Sequence, residues 1–162
     1  MMTEKEIWQI VSGVNDPEIP VLSVTDLGIV RTVDIHDNRV HVTITPTYSG
    51  CPAMERIKSD IRDALLANGI AQVVIETALH PAWTTDWMTE AGKKKLKAYG
   101  IAPPTSTHSV CHLELFQQDE AIQCPRCNSY NTHLVSRFGS TPCKALYRCN
   151  DCSEPFDYFK CH

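Results

Sequence analysis

Apolar positions recur at two periods along this chain, and the switches between them mark its elements. From Thr3 to Val14, residues Ile7, Ile10, Val11 and Val14 fall at i, i+3, i+4 and i+7, one face of a helix. Thr3 and Glu6 hold the N-cap and third helical positions of a capping box. Asn15-Asp16-Pro17-Glu18-Ile19-Pro20 then breaks the pattern, since each proline biases its predecessor away from helix. Between Gly28–Ile35 and Arg39–Thr45 the period falls to two, with Val40, Val42 and Ile44 against His41, Thr43 and Thr45. Asp37-Asn38 lies between the runs, so they read as a β-hairpin with one buried face. Helical spacing returns from Cys51 to Ala67 through Met54, Ile57, Ile61, Ala64 and Leu65, with Asn68-Gly69 as C-cap. Ala71–Leu79 reads as a third strand and Thr89–Tyr99 as a short helix ended by Gly100. Its Lys93-Lys94-Lys95 run is most simply a solvated face.

The order helix, two strands, helix, strand, helix predicts an α+β domain with a small mixed sheet. Near the C-terminus the governing signal becomes cysteine spacing. Cys124-Pro-Arg-Cys127 and Cys149-Asn-Asp-Cys152 are two CxxC knuckles, which can bring four thiolates to the corners of one tetrahedron. His133 to Arg148 reads as strands around a turn at Phe138-Gly139-Ser140-Thr141-Pro142. That is the outline of a zinc ribbon, a small β module folded by its metal. The expected division is an α+β domain over 1–102, a linker over 103–120 and the ribbon over 121–162. A four-cysteine site accepts zinc or iron, and spacing does not choose between them.

Composition narrows the setting. At 43% hydrophobic and 21% charged residues the chain matches soluble globular proteins, and its polar, acidic N-terminus has no secretory pattern. No apolar run reaches the roughly 20 residues that span a bilayer. A cytoplasmic location is expected, where the eight cysteines read as metal ligands or thiols rather than disulfides. The formal charge is −4, and zinc held by four thiolates would bring it to about −6. Such a surface matches nucleic-acid phosphates poorly, although Arg126, Arg137, Lys144, Arg148 and Lys160 leave room for a local basic patch. His108, Cys111, His112, Cys143, Cys161 and His162 are irregularly spaced, and a second metal site there competes with buried thiols packing as small apolar groups. The oligomeric state stays open.

Cys51 carries the candidate chemistry of the first domain. It follows Ser49-Gly50, precedes Pro52 and opens a helix, so it is expected as N-cap with proline at the first helical position. Unpaired amides and the helix dipole there would favour the thiolate. Gly50 would let another molecule approach, and Thr45, Thr47, Tyr48 and Ser49 could donate hydrogen bonds. A half-buried cap without chemistry is the alternative. No histidine lies near in sequence, which leaves a Cys–His hydrolase little support. Asp16 and Glu18 could bind a metal or partner, or simply bond the backbone of their own turn. Trp83 and Trp87 could be exposed partner anchors or could cover the end of the sheet.

Asp16-Pro17-Glu18-Ile19-Pro20-Val21-Leu22-Ser23-Val24, with Asp26-Leu27-Gly28-Ile29-Val30, resembles the opening motif of the MIP18 family, the DUF59 domain. Val42 to Pro52 resembles its second motif, and the family's shared cysteine falls at Cys51. Pro81 to Met88, Tyr99 to Pro104, Phe138 to Thr141 and Glu154 to Cys161 extend the likeness over nearly the whole chain. There it is similar to the accessory subunits of bacterial phenylacetyl-CoA epoxidase systems, which join such a domain to a ribbon. The resemblance implies a non-catalytic factor in aerobic phenylacetate degradation. It would assist iron or iron–sulfur cluster insertion through Cys51, within a site of Asp16, Glu18, Thr47, Ser49 and Gly50. Structural zinc would sit on Cys124, Cys127, Cys149 and Cys152, and the oxygenase or reductase subunits would be partners. A stoichiometric docking subunit is the alternative role. The chain has no flavin or NAD fingerprint and no paired Glu-x-x-His helices, so it is expected to be neither oxygenase nor reductase.

Overall fold

A computed structural model describes residues 2–104 and 121–160, which form two compact units, 1–92 and 93–162. Residues 105–120 of the expected linker lie outside the described residues, as do His108, Cys111, His112, Cys161 and His162.

The first unit opens with helix α1, Glu4–Ser12. Thr3 Oγ1 accepts from the Glu6 amide and the Glu6 carboxylate accepts from the Thr3 amide, so the capping box forms as its spacing predicts. Strands β1 (Val30–His36) and β2 (Arg39–Ile44) pair antiparallel. Asp37 and Asn38 both take left-handed φ, 49° and 62°, the turn whose twist matches a two-residue hairpin. β2 leads into helix α2, Ala53–Ala67, and β3 (Val73–Thr77) returns parallel to β2, giving the sheet order β1-β2-β3. A parallel return needs a crossover, which α2 supplies. Ile7 and Val11 of α1, Ile57, Ile61 and Leu65 of α2, and Val33, Val42 and Ile44 of the sheet are all buried.

This topology decides which loops meet. The end of β2, the start of β1 and the exit of β3 share one end of the sheet, tied by Thr45 N to Ile29 O (2.8 Å) and Ala78 N to Ile44 O (2.8 Å). The turn over residues 15–29 and the loop over 45–52 therefore lie at the same end. The segment after β3 joins them: the Trp83 indole N–H donates to Leu27 O (2.8 Å), and Thr89 N donates to Asp26 O (2.9 Å). Helix α3, Glu90–Tyr99, follows, with Thr89 Oγ1 accepting from the Gly92 amide at its start.

The second unit holds a four-stranded sheet of β4 (Ile101–Ala102), β5 (Thr132–Ser136), β6 (Lys144–Cys149) and β7 (Pro155–Phe159), in order β4-β7-β6-β5. β5–β6 and β6–β7 pair antiparallel, and β4 joins β7 in parallel. Ile101 and Ala102, expected at the end of the first domain, thus form an edge strand of the ribbon sheet. β7 also escaped sequence reading, because five residues containing Pro155 and Asp157 present a weak alternation. Ala102, Ile122, Leu134, Ala145, Tyr147, Phe156 and Tyr158 pack as one cluster with Cys124 and Cys149. Among the described residues no helix is long and apolar enough to cross a membrane.

Candidate metal centre and thiol site

The four ribbon cysteines converge. Cys124, Cys127, Cys149 and Cys152 place their sulfurs within 4.8 Å of one another, and they are the one such group among the described residues. Cys124 Sγ lies 3.8 Å from Cys152 Sγ, and Cys127 Sγ lies 3.5 Å from Cys149 Sγ. Both knuckles are built alike. The Cys124 amide donates to Ser129 O (2.8 Å) and the Cys149 amide to Glu154 O (2.9 Å), five residues on in each case. Asn128 and Ser153, one residue past each knuckle, both have φ of 62°, which turns the chain back over its own sulfurs.

Polar side chains lace the knuckles together. Arg126 pairs with Glu154, Ser129 and Asn131 donate to Asp151, and the Asn150 amide N–H donates to Asn131 O (2.8 Å). Hydrogen bonds from Ser129, then Asn131, hold the Asp151 carboxyl below its ordinary range. The thiols themselves are strongly unequal. Amides of Cys152 and Asp151 outweigh burial and bring Cys149 down to about 7. At Cys127 the Ser129 amide lowers the thiol, but burial and the three neighbouring sulfurs together push it up to about 12. Four soft donors crowded this closely cannot all ionise alone, and a divalent cation resolves the conflict. The donor set therefore fits one tetrahedral metal ion, with two thiolates from each knuckle.

Cys51 sits in the first unit on the loop between β2 and α2, half-buried, with Ser49 and Gly50 beside it and Thr47 half-buried. A Cβ added at Gly50 would meet nothing within 4 Å, so this flank is open. The helix begins one residue later than expected: Pro52 has helical geometry (φ −68°, ψ −22°), regular helix starts at Ala53, and no side chain caps it. The Ala53 amide and the Tyr48 side chain act to lower the thiol.

The expected thiolate is not what this setting favours. Burial pushes the Cys51 thiol above its ordinary value and outweighs the Ala53 and Tyr48 hydrogen bonds. The Glu18 and Asp16 carboxylates add to the rise. These two lie more than 30 positions upstream, and only the shared end of the sheet brings their field to Cys51. Asp16 is buried and its Oδ1 accepts from the Glu18 (2.7 Å) and Ile19 (2.9 Å) amides, so it also builds its own turn.

Trp83 is 3% exposed and held by its indole N–H, which removes it as a surface anchor. Trp87 is half-buried with the Arg31 guanidinium 3.4 Å over its ring. Sequence reading missed Asp26. It is buried, accepts from the Ser23 amide (3.2 Å) and the Thr89 hydroxyl (3.1 Å), and ties this end of the sheet to the start of α3. An aspartate three residues after a serine was the available signal, since that spacing also suits a local turn.

Comparison with known proteins follows the same two units. Residues 4–76 match the family described as iron–sulfur cluster assembly protein, and residues 109–160 match the PaaD zinc beta ribbon domain. An Escherichia coli (strain K12) protein, named as a putative subunit of 1,2-phenylacetyl-CoA epoxidase, is 53% identical over 156 residues, covering 96% of this chain and 92% of that protein. The chain belongs to the PaaD family. Other relatives match a smaller share of this chain. A protein of Porphyromonas gingivalis (strain ATCC BAA-308 / W83) called "Fe-S protein maturation auxiliary factor" is 38% identical, covering 59% of this chain and 92% of its own. The crystal structure of a DUF59 domain from Bacillus anthracis covers 57% of this chain and 90% of its own at 27% identity, with a TM-score of 0.54. The α+β class, the DUF59-like domain and the zinc-ribbon region expected from sequence are thus present in this PaaD-family chain.

Proposed function

We propose that this chain is a non-catalytic maturation factor of a phenylacetyl-CoA epoxidase system. Its cargo is iron or an iron–sulfur cluster, handled transiently at Cys51 and passed to the oxygenase or the reductase. The observation that carries the reading is the setting of Cys51: a half-buried thiol with an open flank, facing the field of Asp16 and Glu18. Burial first, and then the field of the two carboxylates, disfavour the bare thiolate, and so disfavour nucleophilic attack near neutral pH. The same two charges favour a cation. When a metal reaches Sγ, the thiol proton leaves and the thiolate is neutralised by the ion, while the carboxylates attract that ion. A thiol whose ionisation is held back by its setting and favoured by an arriving cation suits a carrier better than an enzyme. The names of the relatives, one an epoxidase subunit and one a maturation auxiliary factor, support the same role.

Cys124, Cys127, Cys149 and Cys152 would hold structural zinc. The shared buried cluster of Cys124 and Cys149 with Ala145, Tyr147, Phe156 and Tyr158 makes the ion part of the ribbon's core. The work would take place in the cytoplasm, where thiols stay reduced. The test is zinc, iron and acid-labile sulfide on the anaerobically purified chain and on the epoxidase matured with it. Cys51→Ala should retain about one zinc per chain and yield an iron-poor, weakly active epoxidase. Full iron loading with Cys51→Ala would refute the reading. The second reading, a stoichiometric docking role, is favoured by the word "subunit" in the name of the Escherichia coli relative. Stable co-purification at equal ratio with a fully iron-loaded epoxidase would select it.

A further inference from the structure

Among the described residues, three of the six exposed large hydrophobic side chains fall within one nine-residue stretch of the ribbon. Tyr130 is 62% exposed, Val135 53% and Phe138 68%. They follow β5, which lies at the edge of its sheet, into the loop before β6. Phe138 is not on a slack loop. Its amide donates to Ser136 Oγ (3.2 Å), and the Lys160 ammonium sits 4.7 Å over its ring while donating to Arg137 O (2.9 Å). The next residues are pinned from beneath. The Gly139 amide donates to Lys144 O (2.7 Å), and Ser140 Oγ donates to Asp157 Oδ2 (2.8 Å), a carboxylate that also faces buried Lys144 at 3.8 Å.

Gly139 is what lets the loop lie so close. A Cβ there would stand 2.4 Å from Asp157 Oδ1 and 3.3 Å from Lys144 Cβ. A glycine, a buried lysine and a carboxylate thus combine to hold an aromatic ring out into water. Cations outnumber anions around it, and the nearby Asp157 carboxylate is already engaged by Ser140 and Lys144. Residues 130–150 contain no Asp or Glu and carry Arg137 and Arg148 besides the buried, paired Lys144, with Lys160 beside the ring. An aromatic held rigidly with basic neighbours has the make-up of an interface anchor, because little side-chain entropy remains to be lost on docking.

We propose that Tyr130, Val135 and Phe138, flanked by Arg137 and Lys160, dock an apolar, acid-rimmed surface on another protein of the epoxidase system. The proposal rests on the accessory role argued above and names the face through which the client is met. Cys51 lies on the other unit, so recognition and cargo handling are carried by different parts of the chain.

The test is pairwise binding of the purified full chain to each purified epoxidase component, at low and high salt. The variants are Phe138→Ala and Tyr130→Ala, with Leu66→Ala as control, an exposed apolar residue of the first unit (47%). Zinc content and circular dichroism verify that each variant is folded. Phe138→Ala should weaken binding to one component by about tenfold or more, Leu66→Ala by less than about twofold, and salt should weaken the wild type. Wild-type affinity in both ribbon variants, or no binding to any component, overturns the proposal. So does a wild-type dimer that Phe138→Ala dissociates, since the occupant would then be a second copy. A parallel assay, epoxidase iron content with and without the chain, keeps the two readings apart. Iron loss without the chain, together with unimpaired binding by Phe138→Ala, sinks this surface but not the maturation role. Full iron without the chain, together with Phe138-dependent binding, does the reverse.

Discussion

Three left-handed glycines in the first unit allow steric crowding to be separated from backbone conformation. Gly28, Gly50 and Gly69 have φ of 70°, 79° and 87°. A Cβ on Gly28 would fall 2.3 Å from Trp87 O and 2.7 Å from Trp87 Cβ, with the carbonyl carbon at 2.8 Å. Backbone blocks it, so no side chain can swing aside. At Gly50 and Gly69 the same atom meets nothing within 4 Å. Alanine at any of the three carries the left-handed penalty of about 1–2 kcal/mol. At Gly28 it also forces the Trp83–Met88 segment off the turn that holds Asp26, an overpacking cost of about 1–3 kcal/mol. The expected losses are therefore about 2–5 kcal/mol for Gly28→Ala and about 1–2 for Gly69→Ala, against total stabilities of about 5–15 kcal/mol. Urea titration followed by tryptophan fluorescence reads this directly, because Trp8, Trp83 and Trp87 all lie in the first unit. If Gly28→Ala lost no more than Gly69→Ala, the close packing of Trp87 on Gly28 would be wrong. Gly50→Ala adds a functional arm. It should fold like Gly69→Ala, yet impair epoxidase iron loading if the open flank of Cys51 is where a client approaches.

Cys51 should alkylate slowly with iodoacetamide near neutral pH, more slowly than a free cysteine peptide, and accelerate only in the alkaline range. Its thiol is raised by burial and by Glu18 and Asp16, so the reactive thiolate appears later in a pH rise. Glu18→Gln should shift that profile to lower pH, and an unchanged profile would show that its charge does not reach the sulfur. Chelation of zinc, or Cys149→Ser, should abolish the near-ultraviolet signal of the ribbon tyrosines while leaving tryptophan fluorescence of the first unit in place, because Cys149 shares a core with Tyr147 and Tyr158. Zinc affinity should fall steeply below neutral pH, since four thiols must lose protons to bind, and a pH-independent affinity would rule out the four-thiolate site. Asp26→Ala should destabilise the first unit by about 1–3 kcal/mol in the urea assay, as it strands the Ser23 amide and the Thr89 hydroxyl.

Sequence by itself determined the local features of this protein. The Thr3–Glu6 capping box, the Asp37-Asn38 hairpin, the apolar stripe of α2 and the two cysteine knuckles were legible, because each rests on contacts within a few residues. What the tertiary structure decided concerns residues far apart in the chain. It half-buried Cys51 and brought the field of Glu18 and Asp16 to it, and so raised a thiol that the helix terminus alone argued would be lowered. It buried Trp83 against Leu27 and left Phe138 exposed, although both are aromatics in polar stretches. It also recruited Ile101 and Ala102 to a sheet formed mainly by residues about thirty or more positions later. The reason is common to all of these. Caps, turns and periodicity are governed by the dihedrals of neighbours, whereas burial and electrostatic field depend on which elements the sheet order brings together, and strand pairing has no local code.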